Sequence, residues 1–462
     1  MEAPVEWGAG RTEARPTDKQ VRALWTYAGS QWRLCVLSWH VKALPGLVPM
    51  LGTLLCAAGL LSLGPLSSSA TPAVALLVLW AALACWAAFR WAGSRQGQTL
   101  SGWVLVLALL LRVVLLASPA SLSDDVWRYL WEGRVQLAGL DPFALAPDSE
   151  ALAPLRNGTW ELVNHKSVST IYPPGALFLF RLVAALWENP LSWKLLSGAA
   201  DLGTLGMLWR CTRTRGTPIW AVVLYALHPL PILESAGSAH LEGLALFFCA
   251  WALSAKPGFN SFAAGLGASI KLLPAALWIP QVRSSPTRAA LGASLALLLG
   301  LALSVPFLGA GSMLARGFGT YYEAWAFNAW LFPLVEGVLG DPTRLVLTGL
   351  GALGCGLAAW RFRDPAAFLL AVAVALVFLS PVVHPWYFLW VFVPAMVLGR
   401  WEWAWLASAG LLSYLVLAGY PEVPWLEPKW VVWIEYPPMI LAWAWAWNRR
   451  RSARPSKAGA TP

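Results

Sequence analysis

Apolar stretches of about twenty residues, nearly free of charge, recur between residues 43 and 447, and a helix of that length matches the hydrocarbon thickness of a bilayer. With no water to serve them, the backbone N–H and C=O groups of such a run must pair within their own segment, which dictates helices. The chain is 58% hydrophobic and only 12% charged, with a mean hydropathy of +0.59; a soluble domain carries about 25% charged residues. An ordinary soluble domain is excluded. The expectation is an all-α, polytopic transmembrane helical bundle of about 12–14 spans. The 31 Trp suit interfacial belts, where an amphipathic ring sits at headgroup level.

The net charge of +10 is read as basic loops held on the cytoplasmic side. No nucleic-acid-binding signature accompanies it. Cys35, Cys56, Cys85, Cys211, Cys249 and Cys355 are dispersed, mostly inside apolar runs, without metal-ligand spacing. Residues 1–42 and 448–462 read as basic cytoplasmic tails flanking a membrane domain over 43–447. About forty mostly polar residues precede the first apolar run, so no cleavable signal peptide is expected.

The first spans are expected at 43–63, 73–91 and 99–118. Arg90 and Arg95 lie between the second and third, which makes that loop inner by the positive-inside rule. The third span then delivers Asp124 and Asp125 to the extracytoplasmic face. Arg112, inside that span, either snorkels or pairs with a carboxylate in the bundle. Residues 119–191 form a long outer loop. Val126, Leu130, Gly133 and Leu137 recur there at helical spacing, opposite Arg128, Glu132 and Gln136, predicting an interfacial helix over 124–138. The segment 173–188 is too short and too charged for an easy crossing and is expected flat or re-entrant. Further spans are expected at 192–210, 217–235, 240–255, 288–309, 343–361, 366–383, 385–400, 402–420 and 430–447. Residues 258–283 form two short segments meeting at Lys271 and Pro274.

Only 23 of 462 residues are acidic, so adjacent carboxylates at a membrane surface stand out. Two readings of Asp124 and Asp125 remain. Ser123 as N-cap with acids in the first turn would suit the helix dipole. Alternatively, one carboxylate is a general base, its affinity for a proton raised by its neighbour, taking the proton of a sugar hydroxyl as it attacks an anomeric carbon. Lys271, midway along FNSFAAGLGASIKLLPAALWIP, either snorkels or holds a phosphate as a compact point charge. His240 and Glu242, in ESAGSAHLEG, either satisfy local structure or bind a metal, a phosphate or a sugar; they are too few for a zinc site. His384 opens HPWYFLW, whose Trp386, Tyr387 and Trp390 are either belt aromatics or a stacking surface. Arg128 and Arg134 either pair along their helix or bind phosphate. Asn328 is a further candidate for lining a pocket. The topology brings residues from four distant regions toward one side, whereas a transporter concentrates polar groups near the midplane.

The stretch SDDVWRYLWEGRVQLAGLDPF (123–143), with IYPPGALFLF, HPLPILESAGSAHLEGLAL, IKLLPAALWIP and HPWYFLW, resembles the GT-C superfamily of integral-membrane glycosyltransferases. The likeness is nearest to bacterial polyprenyl-phosphate-mannose-dependent mannosyltransferases and covers about residues 99–400. It implies a helical bundle whose first large outer loop carries surface helices and an acidic base. It also implies a polyprenyl-phosphate sugar donor, a glycan or glycolipid acceptor and inverting transfer of a hexose, mannose by the resemblance. On matching positions Asp125 is the base, with Asp124 supporting or replacing it. Lys271 stands near the donor phosphate, and His240, Glu242 and His384 line the cleft, with Arg128 and Tyr387 also candidates for donor binding. Glu132 and Glu242 stand where relatives often carry Asp. A divalent metal is conceivable, but no convincing ligand set is visible. The alternative function is a transporter or flippase of a lipid-linked saccharide; a third is a glycan ligase or a non-catalytic assembly subunit.

Overall fold

The computed structural model describes residues 48–66, 68–92, 102–418 and 426–452, without the side chains of 310 and 312–315. The architecture below lies in the compact unit Pro49–Pro462. The tail expected at 1–42, and residues 453–462 of the one expected at 448–462, fall outside the described residues.

The described chain is helical, with no strand; the nearest approach to one is a single parallel bridge between Phe327 and Val382. Among the described residues three single helices are long and apolar enough to cross a bilayer: Ala70–Ala92, Pro286–Gly309 and Thr343–Arg361. Two of these bury little inside the protein. Leu291, Leu298 and Leu301 stand exposed on the one, and Leu345, Leu357 and Trp360 on the other. Water does not tolerate apolar faces of that extent, whereas acyl chains cover them without penalty. The protein is a membrane protein.

Other apolar helices are shorter, among them Val48–Ser62, Gly102–Ala117, Pro174–Trp187 and Glu242–Ser254. Two expected spans differ in kind. The run 217–235 is not one helix but Ile219–Leu227 followed by Pro229–Gly237, bent by 51°. Most of 402–420 is short or 3-10 helix, Ala404–Ala409 and Gly410–Leu417. Proline explains the first break. Pro229 and Pro231 have no N–H to donate to the preceding turn, and His228 Nδ1 caps the new segment by accepting from Leu230 N at 3.2 Å.

Arg112 does not snorkel. It is 1% exposed, and its Nε donates to Asp201 Oδ2 at 2.6 Å. Its Nη1 donates to the carbonyls of Ala108 and Ala226, both at 2.9 Å. Tyr225 completes the cluster by donating to Asp201 Oδ1 at 2.6 Å. Lys194, near the start of the helix Pro190–Thr214, donates to the carbonyls of Leu115, Leu116 and Ser118. An ammonium on the last carbonyls of Gly102–Ala117 satisfies their orphan lone pairs and suits the dipole. It also anchors the chain a few residues before Asp124.

Candidate active site

The surface helix forms at Asp125–Leu137, within a residue of the expected bounds. It packs against Pro174–Trp187 at a point where only glycine fits. A Cβ on Gly133 would lie 2.7 Å from Ala184 Cβ and run into the Phe180 carbonyl. Tyr129 stacks on Phe180, with centroids 4.8 Å apart and rings 16° from parallel. A second close approach joins this pair to the broken helix, since a Cβ on Gly175 would meet Ser269 Cβ at 2.7 Å. Lys271 is two residues further on. These contacts bring the segment that carries Asp125 and the Lys271 break together.

Between them lies a cavity of about 650 Å³. Asp124, Asp125, Arg128, Lys271, His384 and Tyr387 line it, drawn from distant parts of the chain. His240 and Glu242 do not. Both are 0% exposed and lie beneath the lining, each against a lining residue. His240 Nδ1 is 3.6 Å from Asp125 Oδ2. Glu242 Oε1 is 3.0 Å from Lys271 Nζ. Asn328 is not on the cavity wall either; its side-chain amide donates to both oxygens of Glu435, at 3.2 and 2.9 Å.

Asp124 and Asp125 are placed differently. Asp124 occupies the N-cap position without a side-chain capping bond and is exposed. Ser123 Oγ instead accepts from Asp125 N at 3.3 Å. Asp125, 24% exposed at its side chain, accepts from Asn164 Nδ2 at 3.3 Å. Burial pushes the Asp125 carboxyl above the usual range, while Lys271, Asn164 and Arg128 pull it down. The Asp124 carboxyl is also raised, first by burial and then by the charge on Asp125, with Lys166 opposing.

Arg128 directs its donors into its own loop. It bonds Glu132 Oε1 at 2.6 Å and the carbonyls of His165 and Val168 at 3.2 and 2.5 Å. Thr170 Oγ1 donates to the other Glu132 oxygen at 2.7 Å. This buried clamp holds the segment that presents Asn164 to Asp125. Lys166 is engaged in the same way, donating to the carbonyls of Glu161 and Val163 at 2.9 Å. Lys271, also on the cavity wall, pairs with the buried Glu242 beneath it and lies 5.7 Å over the Tyr172 ring.

Part of the lining is aromatic. His384 stacks on Trp386 at 4.4 Å and 8°, and Trp386 also carries His240 at 3.8 Å and 28°. Tyr387 stacks on Trp390 at 4.6 Å, and its hydroxyl is 3.2 Å from that of Tyr321. The chain before His384 is fixed by Phe327, whose N donates to the Pro381 carbonyl at 2.9 Å and whose carbonyl accepts from Val383 N at 2.8 Å. Aromatic side chains, a carboxylate and an ammonium in one cavity can together pack a sugar ring, take a proton and neutralise a phosphate.

No protein-family model matches the chain. It is 26% identical over 385 residues to the alpha-(1->6)-mannopyranosyltransferase A of Mycobacterium tuberculosis, covering 71% of this chain and 72% of that enzyme. The chain is related to bacterial mannopyranosyltransferases. A second relative is the alpha-(1->6)-mannopyranosyltransferase B of Corynebacterium glutamicum, 25% identical over 377 residues, with 67% of this chain and 60% of that enzyme covered.

Sequence reasoning did not single out Asn164, Glu234, Tyr321 or Tyr414. Asn164 and Tyr321 fall in stretches read from sequence as loops without periodicity, though Tyr321 lies in the helix Arg316–Ala324. Tyr414 lies in a stretch read as a plain span. Glu234 falls inside the quoted ESAGSAHLEG motif and carried a usable signal, an acid at the end of an apolar run. Among the described residues no group of three or more His, Cys, Asp and Glu is arranged to hold a metal ion.

Proposed function

We propose that the protein is a membrane hexosyltransferase that moves a mannosyl residue from a polyprenyl-phosphate donor to a glycan or glycolipid acceptor at the extracytoplasmic face. Kinship to two mannopyranosyltransferases supports the transferred sugar. The observation that carries the mechanism is that Asp125 and Lys271 line one cavity. In this reading the acceptor hydroxyl oxygen attacks the anomeric carbon from the side opposite the phosphate. Its proton passes to Asp125 as the new C–O bond forms. The bond from the anomeric carbon to the phosphate oxygen breaks, and its electron pair leaves with the polyprenyl phosphate. A single displacement of this kind inverts the anomeric centre.

Lys271 neutralises the charge that grows on the leaving phosphate, a contribution that is larger in a site shielded from water. Glu242 holds the ammonium in place. His384 and Tyr387 form the wall against which the sugar ring rests. Arg128 keeps the Asn164 segment over Asp125. Asp124, more exposed, supports the field at the mouth.

The test is transfer of labelled mannose from polyprenyl-phosphate-mannose by the detergent-solubilised protein. Asp125→Asn is expected to lower turnover by about 10²–10⁴ while donor binding persists. Absence of transfer from every polyprenyl-phosphate sugar, or full turnover by Asp125→Asn, refutes the proposal. The second outcome would suit a flippase, which needs no base.

A further inference from the structure

Beneath Asp125 the chain makes an unusual turn. Leu233–Gly237 is a π-helical turn, and the backbone folds back so that His240 N donates to the Glu234 carbonyl at 2.8 Å and Ser238 N to the Leu233 carbonyl at 2.7 Å. Ala239, a buried non-glycine residue, is held at φ +64°, a conformation that persists only when its surroundings enforce it. Ser197 Oγ fixes the end of the turn by donating to the His240 carbonyl at 2.7 Å.

The turn sets His240 between two carboxylates. Nδ1 is 3.6 Å from Asp125 Oδ2, and Nε2 is 3.6 Å from Glu234 Oε2. At these distances neither ring nitrogen, nor Glu234 Oε2, has a hydrogen-bond partner, although all three atoms are buried, so a small closing of the gaps is what would link them. Glu234 Oε1 accepts from Tyr414 Oη at 2.7 Å, and Tyr414 itself lines the cavity. The charged and titratable groups facing this row are Asp125, Glu242, Lys271, His384 and Tyr414.

A neutral imidazole has one N–H and one lone pair. It can donate to one carboxylate only, and the other nitrogen then needs a donor. We propose that His240 and Glu234 form with Asp125 a buried proton-sharing row, in which the Glu234 carboxyl holds the proton and His240 donates Nδ1–H to an ionised Asp125. Lys271 stands beside the ring and disfavours an imidazolium. His240 and Glu234 are positioning residues: they act on the acceptor through Asp125. Moving both protons one step toward Asp125 would ionise Glu234 and silence the base. The row rests on the transferase reading of the same cavity.

Two measurements test it. Infrared difference spectra between wild type and Glu234→Gln should show the loss of one protonated-carboxyl stretch; no loss overturns the proposal, whether or not the protein transfers sugar. The pH–rate profile gives the second. Above the pH at which Glu234 gives up its proton, His240 turns toward it and turnover falls. Glu234→Gln cannot lose that proton, and its amide still donates to Nε2, so its alkaline limb should vanish, with turnover lowered by no more than about tenfold. Glu234→Leu should lose about a hundredfold. Tyr414→Phe removes a donor that favours the ionised acid, and should move the wild-type limb up by about one pH unit. Coincident limbs in wild type and both conservative variants overturn the row. A wild type that shows the infrared band but transfers nothing refutes the transferase reading alone.

Discussion

Replacing Lys271 by Met separates two roles that the structure gives one ammonium. Nζ is 3.0 Å from Glu242 Oε1, with the lysine side chain 19% exposed and the glutamate 0%. At that separation and an effective dielectric of about 20, the attraction is about 5.5 kcal/mol. Removing one partner of a buried pair leaves an uncompensated charge and costs about 3–5 kcal/mol, so Lys271→Met should melt several degrees lower in detergent. Adding Glu242→Gln removes the stranded charge, and the double variant should regain most of that stability. Turnover should behave otherwise. If Lys271 neutralises the leaving phosphate, its loss lowers kcat by about 10²–10³, and Glu242→Gln cannot restore it. The assay is a double-mutant cycle read by thermal unfolding and by labelled-sugar transfer. A double variant that recovers turnover along with stability would show that Lys271 serves Glu242 alone, and the assigned phosphate role would fall.

Four further outcomes are expected. Because burial raises the Asp125 carboxyl, it is ionised only above that raised value, so the acid limb of kcat should lie above the ordinary aspartate value of about 4; Lys271→Met, which removes a lowering charge, should move the limb higher still. Arg112→Met strands Asp201 and should destabilise by about 3–5 kcal/mol, with Arg112→Met/Asp201→Leu recovering most of it in detergent melts. Gly133→Ala forces a Cβ against Ala184 and Phe180; overpacking of this kind costs about 1–3 kcal/mol, and the displaced surface helix should lower turnover as well as melting temperature. Trp80→Phe removes the indole N–H that donates to the Leu227 carbonyl at 2.7 Å and should cost about 1–3 kcal/mol in melts, the penalty of a buried acceptor left unpaired.

Much of the scaffold was legible because it is written in period and punctuation. Helical spacing of Val126, Leu130, Gly133 and Leu137 marks the surface helix, and the charge in Pro174–Trp187 marks a segment unlike a simple span. Asp125, Lys271 and His384, expected together from motifs far apart in the chain, do line one cavity. Depth within the site did not follow. His240 and Glu242 share a motif and a face in sequence, yet both lie under the wall rather than on it. Their burial is set by Trp386 and Lys271, which lie far along the chain. Arg128 shows the same limit: helical spacing offered Glu132 as its partner, but only the folded loop supplies the carbonyls of His165 and Val168.

The break at His228 ties the scaffold to the chemistry. In an unbroken helix, Leu230 N would serve the Ala226 carbonyl and residue 231 would serve that of Leu227. Leu230 N instead turns to His228 Nδ1, and Pro231 has no N–H to give. Two of the carbonyls freed by the break find donors from other helices: Arg112 Nη1 reaches Ala226 and Trp80 Nε1 reaches Leu227. Arg112 can lie there because Asp201 neutralises it. The kink is therefore held from outside by groups distant in sequence. Without it the chain from Pro229 would continue straight along Ile219–Leu227. Glu234, which follows the short helix Pro229–Ile232 and lies in the π-helical turn, would then not come under His240. The position of a buried acid beneath Asp125 thus depends on an ion pair and an indole that touch no substrate, which is why Arg112→Met and Trp80→Phe should weaken turnover in proportion to how far they relax the 51° bend.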